Sequence, residues 1–479
     1  EGAYTDRFNA ISIFDPHAYA RLGGLDFFGG LSFPGANAWG RGNRRTGYFD
    51  FMPRLGLSYQ FLPRTVFRMG YGISHLPTTG VLVRLGQTGF AAQTPLVASI
   101  DGGFTPYASI ANPFADGINY PTGSSEGALT GIGTGVTGNL YNLQRGYSQQ
   151  WSANVQQELR GRIVVELGYM GNRGVSQPAS RTFRYLPQQM LPLGTALQQL
   201  VDNPYAAVIN TGPLAQPRVT RATLLNYYPQ FTGASGLDSW ADSIYHAATV
   251  RVEKRFSSGL SLLASYTFSK LIDNNLGNGT NGFADGGSNG VQNWDDLRAE
   301  RAVSTSDLPQ RLVMTGSYEI PLARNAHPTL RTILSGWQLN PMITLQSGNV
   351  IAISANAPAF GGSRPNAIGD PGVSNPNIDR WLNRDAFAAI QPFTFGNAPR
   401  NLPRTRTDGL QTVDLSVLKN FRFVERYTLQ FRAEFFNLTN TPTFGNPAGN
   451  ITLGNFGTIR SLATNTGPRN IQLALKFFF

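Results

Sequence analysis

Four charged residues stand where this chain could act on a solute: Arg251 with Glu253, and Arg432 with Glu434. In each pair one apolar residue separates the charges, Val252 in the first and Ala433 in the second. A spacing of two puts both charges on one face of a β-strand and the apolar residues on the other. Such residues either close on each other as ion pairs in a wet channel or line a path for a polar ligand. Three tryptophans in polar surroundings, Trp240, Trp294 and Trp381, read as loop residues. Their rings either stack on a sugar or other ligand, or pack the loops that carry them.

Patterns of conventional catalysis fail on context. Gly133-Thr134-Gly135-Val136-Thr137-Gly138 matches a dinucleotide fingerprint, but no buried strand precedes it and no helical pattern follows. Gly286-Gly287-Ser288-Asn289-Gly290 matches a nucleophile elbow, yet it sits in a Gly/Asn loop with only His327 after it. His17, His75, His246 and His327 are too scattered for a metal set. The carboxylates Asp273, Asp285, Asp295, Asp296 and Glu300 do not have the spacing of a calcium-binding EF-hand loop. No acid, base or nucleophile constellation survives, so the chain reads as a non-enzyme without cofactor or metal.

The elements that position these residues are strands. The last stretch, Pro468–Phe479, places Ile471, Leu473, Leu475, Phe477 and Phe479 on every second position, with Asn470, Gln472, Ala474, Lys476 and Phe478 between them. A closing strand of this kind, ending on an aromatic residue, is the pattern of outer-membrane barrels, and Phe477 and Phe479 are the expected barrel-assembly residues. Hairpins with the same alternation recur upstream: Phe51–Phe61 with Arg64–Ser74, Tyr147–Leu159 with Arg162–Gly171, and Tyr245–Phe256 with Leu260–Lys270. Gln310–Ile320 with Trp337–Ser347 and Val413–Phe423 with Arg426–Asn437 complete the series. Weaker strand candidates lie at Arg7–Phe14, Leu25–Phe33 and Val81–Phe90. Tight turns alternate with long Gly-, Asn- and Pro-rich links, the asymmetry of short periplasmic turns and long extracellular loops. The expected fold is therefore all-β: a transmembrane antiparallel β-barrel, partial, with roughly 12–14 strands of about ten residues each and long extracellular loops.

Composition agrees. Of 479 residues, 41% are hydrophobic, yet no run approaches the roughly 18 consecutive apolar residues of a membrane helix. The chain holds 54 Gly and 30 Pro, which favours turns over helices, and 11% aromatic residues, enough for interfacial girdles. There is no cysteine, hence no disulfide and no thiolate metal site. The net charge of +11 comes almost wholly from Arg, the only lysines being Lys254, Lys270, Lys419 and Lys476. No basic run or basic helical stripe is present, so a polar lumen, lipopolysaccharide or an anionic ligand explains the charge better than nucleic acid does.

Several stretches carry a resemblance. Phe51–Ser74, Gln310–Leu322 (QRLVMTGSYEIPL), Gly336–Gly348 (GWQLNPMITLQSG), Phe395–Arg400 (FGNAPR), Leu415–Phe423 (LSVLKNFRF) and Leu429–Pro447 (LQFRAEFFNLTNTPTFGNP) together resemble the TonB-dependent receptor superfamily, in its Oar-like group. The resemblance implies an outer-membrane barrel of about 22 strands closed around a plug, with energy coupled through TonB. It also implies a small carboxypeptidase-regulatory-like domain ahead of the plug. Residues 1–479 contain neither plug, TonB box, signal peptide nor that domain, and are expected to be the carboxy-terminal barrel part of a longer protein. The expected function is energised uptake of an unidentified extracellular ligand. The expected partners are outer-membrane lipid and lipopolysaccharide, the barrel assembly machinery, and TonB through the plug. A surface adhesion or structural barrel without active transport is the alternative.

Overall fold

The computed structural model describes residues 11–36, 50–76, 88–92, 94, 96, 105–107, 109–114, 117–210, 212–274, 290–322, 327, 334–423, 427–464 and 466–479. A hairpin of β1 (Ile13–Leu22) and β2 (Leu25–Ser32) comes first. It is followed by β3 (Arg54–Leu62), β4 (Thr65–His75), β5 (Tyr147–Leu159), β6 (Ile163–Thr182), β7 (Gly233–Ser257) and β8 (Leu260–Asp273). The chain ends with β9 (Gln310–Glu319), β10 (Trp337–Gln346), β11 (Leu410–Phe423), β12 (Tyr427–Phe436) and β13 (Asn470–Phe478). From β3 to β13 every strand pairs antiparallel with the next, an up-and-down meander within a 13-stranded sheet. The other two strands of that sheet are short, Gly135–Thr137 on β7 and Ala302–Val303 on β8. Among the described residues β3 and β13 do not pair with each other, so the sheet is open at those two edges.

The register carries one apolar face across the whole sheet. Leu429, Phe431, Ala433 and Phe435 lie opposite Phe477, Leu475, Leu473 and Ile471. Val155 lies opposite Phe67 on one side and Leu167 on the other, and Leu167 opposite Val250. These side chains do not point into a packed interior. Leu55, Leu57, Tyr59, Leu167, Leu473, Leu475 and Phe477 are all more than half exposed, with Leu475 at 68%. An apolar band this large left uncovered by protein is a surface made for lipid. The opposite face carries Arg68, Gln156, Arg251, Glu253, Gln430, Arg432 and Glu434, and is the face that a closed barrel turns to its lumen.

Turn chemistry sets the ends apart. Pro63-Arg64, Arg160-Gly161-Arg162 and Ser258-Gly259 link β3–β4, β5–β6 and β7–β8. Ser258 and Gly259 both have positive φ, 53° and 76°, the backbone a two-residue hairpin needs to follow the strand twist. The β5–β6 turn takes a third residue, Arg162, at a φ of 60°, where the sequence suggested Arg160-Gly161 alone. The segments 76–146, 183–232, 274–309, 347–409 and 437–469 all leave from the other end.

Strand length differs from the expectation at β6 and β7. A tilted strand of about 9–11 residues crosses a membrane, as β9, β10, β12 and β13 do. The 20 residues of β6 and 25 of β7 run on past the apolar band into the loop layer. That extension places Trp240 within β7 rather than in a loop. It also supports the β1–β2 hairpin, whose Phe14 stacks on Phe183 at 4.6 Å within a core that includes Leu31, Phe33, Phe231 and Ala234. Of the strand expected at Arg7–Phe14, Ile13 and Phe14 open β1; residues before Ile11, and most of the strand expected at Val81–Phe90, lie outside the described residues. A second apolar core, around Ile353, Leu382, Phe387, Leu402, Ile451 and Phe456, joins segments 347–409 and 437–469. The described parts of these loops form a folded layer.

Candidate functional site: a lumen cleft beneath the loops

A cavity of about 540 Å³ lies where the polar face of β10–β12 meets the loop layer. Gln346, Thr412, Asp414 and Phe436 enter it from the strand ends, and Asn349, Asp408, Thr443 and Asn446 from segments 347–409 and 437–469. The strand residues alternate with Leu345, Val413 and Phe435 on the lipid face, so the period of two delivers them inward. Gly348 pinches the base of the first loop: a Cβ there would stand 1.9 Å from the carbonyl oxygen of Thr407. Only glycine permits that approach. The two carboxylates each brace the second loop with one oxygen. Asp408 Oδ2 accepts from the Phe444 amide at 3.0 Å, and Asp414 Oδ1 accepts from the Asn437 amide at 2.8 Å. Among the described residues no lysine, arginine or histidine lines the cleft.

The charged pairs named from the sequence lie elsewhere on the lumen face. Arg251 donates to Glu253 at 3.1 Å, and Arg255 approaches the same carboxylate at 3.7 Å. Arg432 reaches Glu434 at 3.4 Å and Gln430 at 3.3 Å. Each pair closes within its own strand. The pairs are not brought together, since β7 and β12 stand five strand spacings apart, about 24 Å along the sheet at ~4.8 Å per strand. The tryptophans divide. Trp240 and Trp294 meet edge to face at 5.5 Å, and Trp240 donates to the Ser180 carbonyl at 3.3 Å. Trp381 packs on the second loop core and donates to the Arg406 carbonyl at 2.8 Å. At the carboxy terminus Phe477 stacks between Tyr427 at 5.7 Å and Phe479 at 6.2 Å, part of an aromatic rim at the turn end.

What the sequence did not point to is the set of buried ion pairs that anchor the loops. Arg364 bonds Glu300 at 2.5 Å with both side chains essentially sealed from solvent, at 1% and 0% exposure. Arg400 holds the Asp273 carboxylate and donates to the Glu300 carbonyl, and Arg406 holds Asp307. Burial pushes the Arg364 guanidinium below its ordinary pKa, and Glu300 opposes that shift. Asp295 accepts from Tyr185 at 3.0 Å and from the Gln188 amide, which ties in segment 183–232. Burial first, and that hydrogen bond second, raise the Tyr185 phenol to about 12. Asp273, Asp295 and Glu300 are thus loop anchors, and Asp296 caps the short helix Leu297–Glu300; Asp285 and most of the Gly286–Gly290 motif lie outside the described residues. Gly135–Thr137 pairs with β7 as a short strand, so the Gly133–Gly138 motif has no helix to bind a pyrophosphate.

An inside–outside alternation carried through eleven consecutive meander strands, with lipid on one face and a polar cleft on the other, is decided by one comparison. Residues 1–472 match the outer membrane beta barrel domain family. The chain belongs to that family. It is an integral outer-membrane protein, and the spanning elements of this outer membrane beta barrel domain are its strands. No curated protein sequence matches it. Its fold is similar to those of solved outer-membrane receptors, at low identity. One is FpvA from Pseudomonas aeruginosa bound to heterologous pyoverdines (11% identity, TM-score 0.37, covering 89% of this chain and 32% of that one). Another is the outer membrane transporter YddB from Escherichia coli (9%, TM-score 0.39, 86% and 38%). A third is a mutant form of the ferric enterobactin receptor PfeA from Pseudomonas aeruginosa (11%, TM-score 0.38, 89% and 40%). The chain therefore spans well under half of each.

Proposed function

We propose that this barrel is the membrane part of a TonB-dependent receptor that captures a scarce extracellular ligand and passes it inward under energy from TonB. The observation that carries the reading is the cleft: a polar concavity on the lumen face, walled by two loops, at the end where the long loops leave. A ligand held there sits over the lumen rather than on the outer rim. The lumen pairs Arg251–Glu253 and Arg432–Glu434 then line the path below, with partly exposed polar groups that water or a passing solute can reach. The stretches that resemble the TonB-dependent receptor superfamily, Leu415–Phe423 and Leu429–Pro447 above all, support ligand capture as the general role. Coupling to TonB would run through a plug belonging to the whole protein.

Phe477 and Phe479 would present the closing strand to the barrel assembly machinery. Replacing Phe479 with Ser should lower the yield of heat-modifiable, folded barrel in outer-membrane fractions. An unchanged yield would remove that role.

A second reading, a surface adhesion or structural barrel, draws on the interlocked loop layer, whose buried ion pairs give a rigid outer surface. One experiment separates the two without knowing the ligand. In cells of the native bacterium, the receptor should be captured by cross-linking to the periplasmic domain of TonB. Absence of a cross-link at native expression, with a known receptor captured in the same cells, would favour the adhesion barrel.

A further inference from the structure

We propose that the cleft takes a neutral, hydroxyl-rich ligand, a saccharide, rather than an anionic one; this rests on the reading of the cleft as the capture site. The lining is selective for its setting. In a chain of net charge +11, with 39 Lys and Arg, the described cleft lining contains none of them. It has instead two carboxylates and many hydroxyl and carboxamide groups. An anion entering would meet Asp408 and Asp414 with no cation in the lining to offset them, so phosphate, sulfate and carboxylate ligands are disfavoured.

The chemistry that remains suits vicinal hydroxyls. Each sugar hydroxyl is donor and acceptor at once and is best met by groups of both kinds. Gln346, Asn349 and Asn446 supply amide donors and carbonyl acceptors, and Thr412 supplies a hydroxyl. Among the described residues Asp408 and Asp414 each use one side-chain oxygen on a loop amide, which orients the carboxylates and leaves the second oxygen of each for a ligand O–H. Such charge-assisted bonds are short and strong. Phe436, 44% exposed on the lumen face, gives an apolar surface for the C–H face of a pyranose. The volume falls within the ~300–1,000 Å³ of ordinary small-molecule sites and accommodates a short segment of a glycan rather than a whole polymer.

The test uses the full-length protein purified from outer membranes in detergent. Titration calorimetry is run with neutral gluco-, galacto-, manno- and xylo-oligosaccharides, and with inorganic phosphate and citrate as anionic probes. At least one neutral oligosaccharide should bind, and phosphate and citrate should neither bind nor compete. Thr412→Val keeps the side-chain shape and removes one hydroxyl, and Asn446→Ala removes one carboxamide. Each should weaken saccharide binding roughly fivefold, the weight of a neutral hydrogen bond, while heat-modifiability stays as in the parent. No binding by any neutral oligosaccharide, binding that ignores both variants, or binding of phosphate or citrate in the cleft would overturn the proposal. These outcomes separate from the TonB cross-link. Cross-linking without saccharide binding removes the ligand class and keeps the receptor, whereas saccharide binding without cross-linking removes energised uptake and keeps the ligand class.

Discussion

Replacing Leu473 with Arg should destabilise the barrel by about 2–4 kcal/mol, the cost of a guanidinium on the lipid face near mid-depth. Leu473 is in the middle of β13, exposed on the face that also carries Leu475 and Phe477. Its cross-strand neighbour Ala433 offers no counter-charge. Gln472→Arg, one residue earlier, puts the same group on the lumen face directly opposite Glu434, where water and a carboxylate receive it. That variant should be within about 1 kcal/mol of the parent, since exposed ion pairs contribute little. Urea unfolding in lipid vesicles, read by tryptophan fluorescence, measures both. Equal costs for the two variants would mean that the faces of β13 are wrongly assigned.

The second large effect belongs to the loop layer. Arg400→Met should cost about 3–5 kcal/mol locally, because it leaves the buried Asp273 carboxylate without its partner. Arg400 also donates to the Glu300 backbone, so one substitution loosens both the end of β8 and segment 290–309. The effect should be confined to the outside of the membrane. Segments 290–309 and 347–409 should become sensitive to added protease, while the heat-modifiable barrel band persists. Arg400→Met combined with Asp273→Leu should recover part of the loss, since no buried charge is then left alone. A single variant as protease-resistant as the parent would show that the pair does not hold the loops.

These two sites also mark what a reader of the sequence can and cannot see. The faces of β13 were legible because a period of two is a local property, written in Ile471, Leu473, Leu475 and Phe477 themselves. The same holds for the hairpins and for the polar-face register of Arg251, Glu253, Arg432 and Glu434. Trp240 was misplaced in a loop because β7 continues past the membrane, where lipid no longer enforces alternation and the residues turn to Gly, Ser and Asp. The ion pairs were hidden for a different reason. Arg364 and Glu300 are 64 residues apart, and Arg400 and Asp273 are 127 apart, so no local pattern joins them. Of the cleft, Asp414 was within reach as a polar residue in the alternation of β11. Asp408 and Asn446 come from loops whose path only the tertiary fold supplies.

Capture from outside requires that the loop layer and its cleft face the medium, over a barrel whose short turns face the periplasm. Residues 1–479 contain no cysteine, so a thiol introduced among them is the only one in this part of the protein, and the orientation is directly testable. Gly454 lies in segment 437–469 with open space around it, and Arg160 lies in the β5–β6 turn. Single Gly454→Cys and Arg160→Cys variants in living cells would be treated with a membrane-impermeant maleimide. The Cys at 454 should be labelled in intact cells, and the Cys at 160 only after the outer membrane is permeabilised. Labelling at 160 and protection at 454 in intact cells would invert the barrel and contradict the orientation on which ligand capture depends.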